Sequence, residues 1–211
     1  MNTWTSRVCA AVLTSLTLAG CEGGLGLTGS DTAALRTAPL GQGAVTLVAP
    51  SGFCIDTRSL RTQFALMARC DTLGADGAED APLALITATT ATLTDPQTIT
   101  PETLGANGET VVDRADRDGL MLVQLRGTPP NPAFRETYWR AAGQIGDQIV
   151  GLTLYEAQDS APLGASAPRI LAQTMQRTQE QTSAYADAAA DNSATPPDNN
   201  ASLSFADGLF E

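Results

Sequence analysis

The chain has 211 residues, 43% of them apolar and 17% charged, the balance of a globular protein rather than a disordered or fibrous one. All 12 basic residues are arginine, lysine is absent and the histidine count is zero, which excludes a Ser-His-Asp triad, a Cys-His pair, a Walker A or Schiff-base lysine and a histidine-ligated metal. Catalysis is left with paired carboxylates, a cysteine or a hydroxyl activated in some other way, and the net charge of −11 argues against a nucleic-acid partner.

The amino terminus and Arg7 form a short positive region, Val8 to Gly20 carries no charge, and Cys21 follows. This apolar stretch is well short of the roughly 20 residues that span a bilayer, so residues 1–20 read as a secretory signal peptide. Leu18-Ala19-Gly20-Cys21 resembles the lipobox of bacterial lipoproteins. The resemblance implies cleavage before Cys21, palmitate-type acylation of its sulfur, and loss of Cys9 with the signal. Two or three acyl chains hold a protein stably where one does not, at about 0.8 kcal/mol per buried methylene. Glu22, in place of the aspartate that marks inner-membrane retention, points to the outer membrane. The cleaved chain keeps 11 arginines against 23 acids, a formal charge of −12, so lipid rather than charge is expected to hold it at the periplasmic face of a membrane.

From 21 to 43 the chain is rich in Gly, Thr and Ala without a sustained apolar period, and a flexible tether is expected. Residues 44–185 have the length of a single domain. Ala44–Ala49 and Phe53–Asp56 read as strands around the turn-prone Pro50-Ser51-Gly52. Phe64–Cys70 is compatible with strand or helix, while Leu83–Leu93 alternates and favours strand. Thr100-Pro101-Glu102 has a cap, a proline at N1 and an acid in the first turn, with Gly105 placed to end a short helical turn.

Two hairpins follow, one turning near Asp118-Gly119 and the other, between Phe134–Ile145 and Ile149–Tyr155, at Gly146-Asp147-Gln148. Val150, Leu152 and Leu154 share one face, as do Trp139, Ala141, Gly143 and Ile145, whose small members would admit a closely packed helix. The period then changes. Ser166 is placed to cap a helix with Pro168 in its first turn, and Ile170, Leu171, Thr174, Met175 and Thr178 form a stripe running to about Tyr185. From 186 to 211 acids, Pro and Asn without arginine predict a disordered acidic tail. Its end carries Phe205, Leu209 and Phe210, suited to docking on a partner or to a frayed terminus.

Strands followed by one amphipathic helix predict an α+β domain, an antiparallel β-sheet with the C-terminal helix packed on it. That order resembles the α/β/α sandwich of PsbP/Mog1-like domains, a resemblance that implies a binding or accessory module rather than an enzyme. The whole chain also resembles a group of alphaproteobacterial lipoproteins, which implies no activity.

Cys54 and Cys70 are the cysteines left once Cys21 is acylated, and in an oxidising compartment they read as a disulfide rather than a C-x-x-C redox pair. Arg58, Arg61 and Arg69 cluster in that loop, either as an anion or partner site or paired with nearby acids. Asp113, Asp116 and Asp118 echo a calcium loop but fail its spacing at Arg114 and Leu125. Glu136 and Glu156 lie on adjacent hairpin arms, where a shared cleft would support carboxylate catalysis. The leading expectation is a lipid-anchored, non-catalytic binding or assembly module without cofactor or metal, meeting another envelope protein. A small periplasmic ligand-binding protein or carboxylate-dependent hydrolase is the alternative.

Overall fold

The alternating segments form strands and the helical stripe forms one long helix in the computed structural model, which describes residues 34–77, 81–94, 99–105 and 108–193. The strands are β1 (Ala34–Leu35), β2 (Thr37–Leu40), β3 (Val45–Val48), β4 (Phe53–Asp56), β5 (Phe64–Arg69), β6 (Ala84–Thr92), β7 (Thr110–Arg117), β8 (Leu120–Arg126), β9 (Phe134–Ile145) and β10 (Gln148–Ala157); the helices are α1 (Pro101–Leu104) and α2 (Ser166–Ser193). Eight strands form one sheet in the order β1-β4-β5-β6-β10-β9-β8-β7, and β2 and β3 form a separate hairpin. Every pairing is antiparallel. The protein is α+β, with α2 and the β2–β3 hairpin on one sheet face and the single turn of α1 on the other.

Local chemistry accounts for the expected elements. The Thr100 hydroxyl accepts from the Thr103 amide and the Thr103 hydroxyl from the Thr100 amide, so α1 starts in a capping box and stops at Gly105. Asp118 and Gly119 have φ of 55° and 76°, the paired positive values of a two-residue hairpin turn. The segment open to strand or helix is β5, paired between β4 and β6.

Two boundaries differ from expectation. Residues 34–43 belong to the domain rather than to a tether: Ala38 and Leu40 are 2% and 0% exposed, and Gly41, Gln42 and Gly43 all take positive φ in the turn from β2 to β3. The glycines that suggested a linker serve a tight turn. At the other end α2 continues to Ser193, past Tyr185 into the expected tail, but Ser183–Asp191 is exposed on every side. Alanine's helix propensity sustains that overhang without packing. Ser166 is the first helical residue rather than a cap, and its Oγ accepts from Arg169 Nη2.

The main core lies between the sheet and α2. Ile86, Ala88, Trp139, Ala141, Val150, Leu152 and Leu154 face Leu171 and Met175, all buried. A Cβ on Gly143 would stand 3.3 Å from Met175 Sδ, so glycine here sets how closely α2 approaches β9. The threonines of the helical stripe have a separate task. Thr178 Oγ1 accepts from the Val48 amide at 3.1 Å and Thr182 Oγ1 from the Thr46 amide at 2.9 Å, so α2 satisfies edge amides of β3 that would otherwise be open. Thr178→Val keeps the shape but strands a part-buried amide; a loss of about 1 kcal/mol is expected in urea unfolding.

Candidate functional site

Cys54 and Cys70 are bonded across a sequence separation of 16, both are buried, and Ala34 of β1 packs beside them. The backbone at Gly77 passes so close that a Cβ there would meet Cys70 Cβ at 2.4 Å. The lipidation candidate Cys21 and the tip residues Phe205, Leu209 and Phe210 lie outside the described residues.

The arginine island does not converge on a shared site. Arg58 Nε pairs with Asp56 at 3.0 Å, Arg69 pairs with Asp71, and Arg61 Nη1 donates to the carbonyls of Arg58 and Leu60. Hydrogen bonds from Arg58 and Arg69 hold the Asp56 and Asp71 carboxyls below their usual range. A depressed folded pKa contributes stability that is present above the ordinary carboxylate value and is lost as pH falls through the lowered one. The Arg58 guanidinium is largely in solvent where it meets Asp56, so Arg58→Ala with Arg61→Ala is expected to change the thermal unfolding midpoint only slightly by circular dichroism.

The acidic constellations come apart by strand parity. Asp113 and Asp116 project to opposite faces of β7 while Asp118 sits in the turn. Glu136 and Glu156 also part: Leu154 pairs with Trp139 and Tyr155 with Tyr138, which leaves Glu156 on the helix-bearing face and the exposed Glu136 on the other. Glu156 is 5% exposed and its Oε2 accepts from the Leu163 amide. The two carboxylates share no cleft, and the geometry of a glycosidase is absent from this pair.

The strongest electrostatic cluster was not evident in the sequence. Arg140 of β9 donates from Nη1 to Glu109 Oε2 at 2.9 Å and to the Leu104 carbonyl at 2.6 Å, and from Nη2 to Glu109 Oε1 at 2.8 Å. Tyr138 OH donates to Glu109 Oε1 at 2.6 Å, its ring lies 4.9 Å from that of Tyr155, and the guanidinium stands 5.7 Å from its centroid. Burial, then donation to Glu109, pushes the Tyr138 hydroxyl well above the ordinary tyrosine range. Burial alone would lower the Arg140 pKa, but Glu109 outweighs it and the guanidinium stays charged. The cluster clamps the end of α1 and the start of β7 onto the second sheet face. Its signal in the sequence is an arginine two positions from a tyrosine on one face of β9, which identifies neither Glu109 nor the pairing.

A second feature that sequence reasoning missed is a groove between α2 and the β7–β8 hairpin, centred on Arg117. The side chain is half-buried and its Nε is buried without a hydrogen-bond partner.

No family model matches the chain and no curated protein matches it in sequence. Among solved structures the chain is similar to the cyanobacterial PsbP (CyanoP) of Synechocystis sp. PCC 6803, with 11% identity, 75% of this chain and 96% of that chain covered, and a TM-score of 0.39. The likeness concerns the fold alone.

Proposed function

We propose that the protein is a non-catalytic, lipid-anchored binding or assembly module of the cell envelope, held through Cys21 at the periplasmic side of a membrane, the outer rather than the inner, where it meets another envelope protein. The observation that carries the binding role is the unequal cover of the sheet. One face is sealed by α2 and the β2–β3 hairpin; on the other, α1 packs chiefly against β7, β8 and β9. Over β5 and β6, Phe64, Leu66, Leu85 and Thr87 are half-buried, Thr89 is exposed, and among the described residues no helix lies across them. A broad, partly apolar face suits a protein surface better than a small substrate, which needs a concave site.

The anchor rests on the lipobox, and a buried disulfide is the economy of a protein exposed to an oxidising compartment. From Cys21 to Ala34 the chain reaches at most about 45 Å, enough to present the domain close to a bilayer. The separation of Glu136 from Glu156 speaks against a hydrolase built on that pair.

Labelling with a palmitate analogue tests the anchor: wild type is expected to label and Cys21→Ala to lose the label, and an unlabelled wild type overturns it. In-cell crosslinking with mass spectrometry tests the partner. A defined envelope protein is expected, with its yield lowered by Thr87→Arg and Thr89→Arg; recovery of none, or capture indifferent to both substitutions, overturns the binding role.

A further inference from the structure

Two concavities meet at Arg117 and form one groove along the flank of α2. One is walled by Leu120, Gly143, Met175, Gln176 and Gln179, the other by Gln124, Trp139, Gly164 and Pro168. Asp113, Arg114 and Asp118 stand at its margins, but Asp113 Oδ1 accepts from the Arg114 amide and Arg114 pairs with Glu102 at 3.4 Å. Among the described residues ion pairs engage Arg58, Arg69, Arg114, Arg135 and Arg140, whereas the Arg117 side chain makes neither an ion pair nor a hydrogen bond to another described residue. A half-buried guanidinium in a chain with 23 acids, beside an indole and a thioether, is the recognition chemistry for a carboxylate flanked by apolar side chains.

We propose that the occupant of this groove is Leu203–Glu211 of the same chain. Residues 194–211 carry three acids, Asp198, Asp207 and Glu211, and no base; Asp207 and Glu211 alternate with Phe205, Leu209 and Phe210. Charge and apolar content therefore match the groove on both counts. Reach matches as well. The path back along α2 is about 21 Å from Ser193 to Gln179 and about 38 Å to Pro168, while the stretch from Ser193 to Glu211 extends to about 59 Å. The apolar residues of this segment then pack over the half-buried Leu120 in the wall, and one of its carboxylates fills the open donor of Arg117. An external partner can use the same groove only by displacing the segment. This inference is independent of where the protein resides.

The test is photo-crosslinking within the full chain, with a benzophenone amino acid at the exposed position Gln179 and peptide mapping of the adducts. Intramolecular adducts to residues 203–211 are expected, falling about tenfold in Arg117→Gln, the effect of one charge-assisted hydrogen bond. The double change Leu209→Ser and Phe210→Ser, which lies outside the folded domain, is expected to remove them as well. Adducts that are absent, that survive both variants, or that form only with a second copy or another protein overturn the proposal.

Discussion

Arg140→Met is expected to lower stability by about 3 kcal/mol in urea unfolding, the lower end of the cost of breaking a buried ion pair. The side chains of Arg140 and Glu109 are 20% and 11% exposed, so removal of the guanidinium leaves a carboxylate largely out of water without its two charge-assisted donors. The Leu104 carbonyl loses its partner too. Adding Glu109→Leu to Arg140→Met is expected to recover part of the loss, and a coupling energy above about 1 kcal/mol in the double-mutant cycle identifies the pair as the cause. The same cluster sets a limit at high pH. The Tyr138 pKa is raised in the folded protein, so its contribution to stability is intact below the ordinary tyrosine value of about 10 and is lost as pH rises beyond it. Unfolding free energy measured between neutral pH and about 11 is expected to fall in the upper part of that range, and less so in Tyr138→Phe.

Removing the disulfide ranks with this. Cys54→Ala with Cys70→Ala opens a loop of 16 residues, and chain entropy sets the expected cost at about 3 kcal/mol, read as a lower urea midpoint. Both cysteines are buried and the backbone of Gly77 crosses over Cys70, so thiol labelling after mild reductant is expected only once urea unfolds the domain. Labelling at zero urea would show that the bond is accessible in the native protein.

Features whose cause is local were legible in the sequence. The Thr100 cap, the Asp118-Gly119 turn, the alternation of Val150, Leu152 and Leu154, and the stripe from Leu171 to Thr178 each declare themselves within a few residues. The pairing of Cys54 with Cys70 was legible because elimination left few cysteines. What stayed hidden depends on register. Glu136 and Glu156 were assigned to neighbouring arms correctly, but their faces follow from which residues pair, and Tyr138 opposite Tyr155 sets them apart. The clamp joins Arg140 to Glu109 across a separation of 31, with no periodicity to announce it. Glycines at 41 and 43 carry the same composition in a tight turn as in a linker, and only their backbone angles distinguish the two. Thr178 was placed on the buried stripe, yet its reason for being threonine is an amide 130 positions away.

The position of the disulfide also has a mechanical meaning. Ala34 of β1 pairs with Asp56 and packs beside the bonded sulfurs, so a load applied through the residues preceding Ala34 enters the domain next to its covalent staple. Unravelling that advances from this end strips β1, β2 and β3 in turn and then arrives at Cys54. From there the force crosses directly to Cys70, and the loop between them, with Ile55 and Asp56 of β4 and all of β5, carries no tension and cannot be drawn out. The bond thereby shortens the length of chain that pulling can release and moves the mechanical load onto β6, the next strand of the sheet.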